Sequence, residues 1–126
     1  MGEHWEWIEH RGKRILFAKF AGIKDESVYL EALADLEREI LKQPKGQVVP
    51  VLMDVTNTHM SMAIANRGKQ LVQTARAYGI VDGPTALVGL TAAQKAVVAT
   101  VRLIRPETQA ANSLKEAKDW IVDHLK

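Results

Sequence analysis

The chain has no cysteine among its 126 residues. A disulfide framework, a thiolate zinc site, an iron–sulfur cluster and a cysteine nucleophile are therefore excluded. Long hydrophobic runs are missing as well. The longest nearly uncharged stretch, residues 46–66, contains Asp54 and a polar Thr-Asn-Thr-His patch, so it does not supply the roughly 20 apolar residues of a membrane-spanning helix. We expect no membrane insertion.

An excess of charge of one sign is also missing. Seventeen basic and fifteen acidic side chains leave a formal net charge of +2, whereas nucleic-acid-binding domains usually carry a concentrated basic face. We expect no nucleic-acid partner.

The first residues lack the cationic-then-apolar order of a signal peptide, so a cytoplasmic location is expected. The length suits one domain over residues 1–126.

Apolar patterning predicts strands that alternate with helices. Pro50 cannot donate to a strand ladder, so we expect regular pairing to begin at Val51 or the proline to lie at an edge. Residues 82–84, Asp-Gly-Pro, are expected to form a turn. The predicted strands are 5–9 and 15–20, joined as a hairpin, then 48–55, 85–90 and a weak edge strand at 107–111.

Four helices are predicted from capping residues and amphipathic spacing. They run from Asp25 to about Lys42, from about Met62 to Tyr78, from Thr91 to Arg105, and from Ser113 to Leu125. On the first helix, Val28, Leu33 and Ile40 share the apolar stripe with two further residues. The element order is β-β-α-β-α-β-α-(β)-α, which indicates an α/β fold with a mixed four- to five-stranded sheet and about four helices.

Motifs for cofactors and metals are missing from the sequence. Neither Gly12-Lys13 nor Gly68-Lys69 has the glycine that a phosphate-binding P-loop requires, and no G-x-G-x-x-G fingerprint is present. The histidines do not have the spacing of a metal-ligand motif. We expect neither a cofactor nor a metal.

The polar segment after the third predicted strand is the candidate site, because α/β proteins place ligands at the carboxyl ends of strands. Its residues are Asp54, Thr56, Asn57, Thr58, His59, Met60 and Ser61. Asp54, His59 and Ser61 suggest a nucleophile set, but residues so close in one loop seldom align as a triad. We interpret Asp54 as an acceptor of loop hydrogen bonds and Ser61 as a helix cap, and we predict no enzyme.

Four segments resemble a known family. They are His10 to Leu16, Asp54 to Thr56, Thr85 to Leu90 and Ser113 to Ile121. Together they resemble STAS-type proteins, in particular the SpoIIAA-like bacterial branch similar to anti-sigma-factor antagonists and sometimes grouped with the Sec14-like lipid-binding fold. The resemblance implies the STAS fold and a role without catalysis.

In signalling members of that family, a partner kinase phosphorylates a Ser or Thr at the start of the second helix. The family signature there is Asp-Ser-(Ser/Thr)-Gly, whereas residues 58–63 read Thr-His-Met-Ser-Met-Ala. Ser61 falls close to the acceptor position, while the preceding acid and the following glycine are missing. Thr56 and Thr58 are the alternative acceptors.

The resemblance and the residues lead to the same expectation. The chain is expected to be a non-enzymatic protein-interaction or regulatory domain that docks a protein partner, a kinase or an anti-sigma-type regulator, through residues 54–61. A homodimer through the second helix or the hairpin is compatible with the sequence. The alternative is a carrier of a small apolar ligand or lipid of the Sec14-like type, which a cavity beneath the second helix would favour. A hydrolase based on Ser61 ranks last.

Overall fold

The computed structural model describes residues 2–102 and 108–125. Five strands and four helices follow one another in the predicted order, so the predicted α/β class and element order are confirmed. The elements are β1 (Trp5–His10), β2 (Lys13–Lys19), α1 (Glu26–Leu41), β3 (Val48–Asp54), α2 (Met62–Ala77), β4 (Val81–Val88), α3 (Ala92–Arg102), β5 (Thr108–Ala111) and α4 (Leu114–His124).

The strands form one five-stranded mixed sheet in the order β1-β2-β3-β4-β5. β1 and β2 pair antiparallel as the predicted hairpin, with Arg11 and Gly12 at its turn, both at positive φ. All later neighbours pair parallel. The carboxyl ends of β2, β3 and β4 therefore meet at one edge of the sheet, which is the edge where the candidate loop begins.

Helices cover both faces of the sheet, so alternate residues of each strand enter different cores. Leu16, Val51 and Leu87 belong to the core beneath α1 and α2. Their neighbours in sequence face α4 on the other side. That second core contains Ile15, Leu52, Ala86, Val88, Ala111, Ala117, Ile121 and Val122. Across residues 2–102 and 108–125, no helix is long and apolar enough to span a membrane.

Side-chain caps set the helix starts as the sequence predicts. Asp25 accepts a hydrogen bond from the backbone amide of Val28 over 3.2 Å. Thr91 and Gln94 form a reciprocal capping box over 3.0 and 3.2 Å, and Ser113 accepts from the amide of residue 116 over 3.1 Å. Each bond satisfies an amide that the first helical turn leaves without an intrahelical partner.

The prediction of a turn at residues 82–84 is wrong, because these residues lie inside β4. Val81 and Asp82 already pair with β3, and the register then shifts between Val49 and Val51. Pro50 lies at this shift. Pairing with β2 begins at Val51 as predicted, but pairing with β4 begins earlier. A Cβ on Gly83 would lie 2.5 Å from the Val49 carbonyl oxygen, so glycine permits the close approach of the strands.

Two predicted boundaries fall on residues that the structure does not describe, and one predicted core residue is exposed. The predicted edge strand is present at Thr108–Ala111. Its expected first residue, Glu107, lies outside the described residues, as does the expected end of α3 at Arg105.

On α1, Val28 is 38% exposed, whereas Tyr29 is buried. The actual stripe runs through Tyr29 and the leucines at 33 and 36. The Tyr29 ring packs edge-on against Phe20, with ring centroids 5.2 Å apart.

Candidate functional site

The loop between β3 and α2 is held in one conformation by hydrogen bonds. The Thr56 backbone amide and hydroxyl both donate to Asp54 Oδ1, over 3.1 and 2.7 Å. The Thr58 hydroxyl donates to a backbone carbonyl at residue 55 over 2.7 Å, and the Gln94 side chain of α3 donates to the Thr58 carbonyl over 3.1 Å. Asn57 adopts a φ of 59°, which asparagine tolerates better than most residues. Asp54 therefore organises the loop backbone.

Ser61 caps α2 and also connects it to α1. Its oxygen accepts from the Ile64 amide over 3.2 Å, and its hydroxyl donates to the Glu26 carboxylate. Glu26 occupies the first turn of α1. The starts of both long helices thus meet at one serine–glutamate contact. A phosphate on Ser61 would lie against this carboxylate and would be repelled by it.

The nucleophile set considered for Asp54, His59 and Ser61 is not assembled. The Ser61 hydroxyl donates to Glu26, and the His59 imidazole lies 3.8 Å from the same carboxylate. Asp54 accepts from Thr56. Among the described residues no hydrogen bond joins His59 to Ser61 or to Asp54, so the base-to-nucleophile contact of a triad is not formed.

Ionisable side chains of the segment before α1 lie close to this loop. The side chain of Ser27 donates to Asp25 over 2.6 Å, and this bond and the bond from the Val28 amide lower the pKa of Asp25 below its usual value. Beside the loop, Lys24 and His59 border a shallow polar concavity of about 390 Å³. Its hydrogen-bonding side chains include Gln94, which already bonds residues 58 and 91.

An apolar cavity of about 130 Å³ lies between the sheet and the helices, beneath α2. Its wall is formed by α1, β3, α2 and β4, with smaller contributions from α3, β5 and the loop. Representative lining residues are Leu33, Leu36, Val51, Ile64, Leu71 and Leu87. Met60 of the candidate loop also lines the cavity and packs against the same core. The loop and the cavity are therefore adjacent parts of one site.

Gly68 lines the cavity from the middle of α2. It follows Ile64 by four residues and precedes Leu71 by three, so it lies on the buried stripe of the helix. A Cβ added at this position would meet no atom within 4 Å. The cavity therefore includes space that any residue other than glycine would begin to fill.

Three lining residues carry hydroxyl groups: Tyr29, Thr85 and Thr108. Thr85 and Thr108 are register partners on β4 and β5. The Thr85 hydroxyl lies 3.5 Å from the Gly83 carbonyl, whereas the Thr108 hydroxyl is buried and has no hydrogen-bond partner in the described part of the chain. Burial raises the pKa of the Tyr29 phenol well above its usual value, so the phenol stays neutral.

The candidate loop lies where the sequence predicts it, whereas the residues of the cavity wall other than Met60 were not predicted as site residues. Gly68 is visible in the sequence as a glycine on an amphipathic helical stripe, and such a glycine signals either close packing or free space. Tyr29 is visible through its four-residue spacing to Leu33. Thr108 gives no signal, because a threonine in a short edge strand is ordinary. Its importance depends on a missing hydrogen bond that only coordinates reveal.

Comparison with models of protein families, with curated proteins and with solved structures finds no match to this chain. The resemblance to STAS-type proteins therefore stays an expectation from the sequence.

Proposed function

We propose that the protein binds a small apolar ligand in the cavity beneath α2. The observation that carries this proposal is the cavity itself, about 130 Å³ in volume and lined almost entirely by apolar side chains. An engineered apolar cavity of about 150 Å³ stays free of water and takes up benzene or xenon. The space here suits a molecule of about one six-membered ring and is too small for a phospholipid.

Two features of the wall support binding over simple imperfect packing. A glycine in a helix interior is less stable than alanine by about 1 kcal/mol, and a buried hydroxyl without a partner costs about 1–3 kcal/mol. Gly68 is the helix-interior glycine and Thr108 carries the unpartnered hydroxyl, and both line the same cavity. Residues that are less stable than the alternatives at their position concentrate at functional sites. Their presence here favours a cavity that binds a ligand over a packing defect.

Toluene is the probe for the first test, because it has the required size and no polar group. We expect toluene to shift the amide resonances of α2 and of residues 57–61 and to raise the melting temperature. At ten times its Kd the ligand would stabilise the protein by about 1.4 kcal/mol. The absence of both effects up to the solubility limit of toluene would refute ligand binding.

A matched pair of variants locates the binding site. Gly68→Leu places a large side chain on the buried stripe of α2 and should abolish the effect of toluene. Asn66→Leu adds the same side chain to the exposed face of the same helix and should leave toluene binding unchanged. Equal affinity of both variants for toluene would place the ligand elsewhere.

A second candidate function is protein docking at the loop, the role that the family resemblance implies. It is favoured by the exposure of Met62, which is 63% exposed immediately after Ser61, since flexible thioethers suit adaptable surfaces. The partner would be a kinase or an anti-sigma-type regulator. Ser61→Asp keeps a capping oxygen but replaces the hydrogen bond to Glu26 with like-charge repulsion. It should therefore lower the melting temperature and also change the affinity for the partner.

The control for the docking test is Ser113→Asp, which makes the same change at the cap of α4, away from the loop. A partner that responds equally to both variants, or to neither, would contradict docking through Ser61.

A further inference from the structure

The chemistry of the cavity wall restricts the kind of ligand that it accepts. Among the lining residues that the structure describes, Tyr29 is the only one with an ionisable side chain, and burial keeps its phenol neutral at ordinary pH. A carboxylate or ammonium group inside such a wall would lose its hydration without gaining a charged partner, which is strongly unfavourable. The wall therefore selects against ions, including the head group of a free fatty acid.

Within the described part of the wall, one buried polar atom lacks a hydrogen-bond partner. Thr108 is 3% exposed, and its hydroxyl forms no hydrogen bond with any residue that the structure describes. In the present rotamer water does not reach the oxygen. No hydrogen bond to a described residue holds that rotamer, so rotation about χ1 to another staggered position can turn the hydroxyl toward a ligand. Buried hydroxyls normally have a partner, and a ligand in the cavity supplies one.

We infer that the ligand is a small uncharged amphiphile, about one six-membered ring in size, with one hydrogen-bonding group that pairs with the hydroxyl of Thr108. Phenols and short cyclic alcohols have this chemistry. The inference rests on the proposed function and adds to it the class of ligand and the residue that recognises its polar group. The apolar remainder of the molecule contacts the aliphatic wall contributed by α1 and α2.

The test compares phenol with toluene, two rings of nearly equal size that differ in one polar group. Their Kd values are measured by NMR titration in the unaltered protein and in Thr108→Val, which removes the hydroxyl and keeps the shape. We expect the preference for phenol over toluene to fall about five- to tenfold in Thr108→Val, the loss typical of one hydrogen bond. Thr108→Ser, which keeps the hydroxyl, should retain the preference.

Thr85→Val is the matched control, because Thr85 is the register partner of Thr108 and its hydroxyl has the Gly83 carbonyl within 3.5 Å. The preference for phenol should change less than twofold in this variant. Benzoate at pH 7, which has the same ring and a negative charge, should not bind detectably. In the unaltered protein, nuclear Overhauser effects should connect the phenol ring protons with the Thr108 methyl group.

The outcomes separate this inference from the proposed function. Binding of toluene and phenol with an unchanged preference in Thr108→Val, or without Overhauser effects to the Thr108 methyl, would overturn the role of Thr108 and leave the ligand-binding function intact. Benzoate binding as tightly as phenol would overturn the restriction to uncharged ligands. Failure of both toluene and phenol to bind would refute the proposed function and this inference together.

Discussion

Replacing Gly68 by alanine should stabilise the protein, although the residue is half-buried and lines the cavity. The residue lies in the middle of α2 with helical backbone, and an added Cβ meets no atom within 4 Å. Alanine is favoured over glycine in a helix interior by about 1 kcal/mol. A half-buried methyl group adds up to about 0.4 kcal/mol, half of the value for a fully buried one.

The two contributions predict a gain of about 1–1.5 kcal/mol in the free energy of unfolding. For a chain of 126 residues, the unfolding entropy near 60 °C is about 0.26 kcal/mol per degree. The melting temperature should therefore rise by about 4–6 °C. Urea unfolding should show a higher midpoint with an unchanged slope, because the surface exposed on unfolding changes little.

Gly46→Ala is the matched control. A Cβ at Gly46 also meets no atom within 4 Å, but the residue has a φ of +83°, a conformation that costs an L-residue about 1–2 kcal/mol. This variant should lower the melting temperature. An unchanged or lower melting temperature in Gly68→Ala would show that the space beside α2 is not free, and it would remove the main support for the cavity.

Three further predictions concern the loop, the sheet edge and α4. Gly89→Ala should cost more than about 2 kcal/mol in urea unfolding, because Gly89 has a φ of +88° and a Cβ there would overlap Thr56; a loss below about 0.5 kcal/mol would contradict this close approach. Ser61→Ala should cost about 1 kcal/mol through the lost cap, and an unchanged urea midpoint would mean that α2 does not need it. Hydrogen bonds from His10 and Lys115 lower the pKa of Asp119 from 3.8 to about 2. The ionised Asp119 carboxylate therefore stabilises the fold fully above pH 3.8, and this stabilisation is lost as the pH falls toward 2. Asp119→Asn should flatten the fall in the free energy of unfolding between pH 5 and 2. Parallel plots of unfolding free energy against pH for the variant and the unaltered protein would refute this.

The element order was predictable because each local signal agrees with the global fold. Asp25, Thr91 and Ser113 mark helix starts by a mechanism that acts within one turn, and the apolar run at 48–55 fits a strand covered on both faces. The prediction failed where a distant strand overrides the local preference. Residues 82–84 have the composition of a turn, but they stay in β4 because the strand pairs with β3 on both sides of a register shift. At this shift two β4 residues, Gly83 and Pro84, lie opposite the single β3 residue Pro50.

The loop was predictable as a polar segment at the carboxyl end of a strand, and the roles of Asp54 and Ser61 follow from short-range hydrogen bonding. The contact between Ser61 and Glu26 was not predictable, since these residues are 35 positions apart. The cavity was not predictable either. The cavity depends on how closely α1 and α2 approach the sheet. Apolar periodicity indicates which residues face inward but not how much space they leave.

The two candidate functions are physically linked through Met60, which belongs to the loop and also lines the cavity. A ligand that contacts the Met60 side chain alters the position of one residue in the surface that a protein partner would contact. If both functions hold, thermodynamic linkage requires reciprocity: the factor by which toluene changes partner affinity equals the factor by which the partner changes toluene affinity. Met60→Leu keeps the apolar volume but stiffens the side chain, so it should reduce this factor more than it reduces either affinity alone. Equal affinity for the protein partner with and without toluene would show that the loop and the cavity act independently.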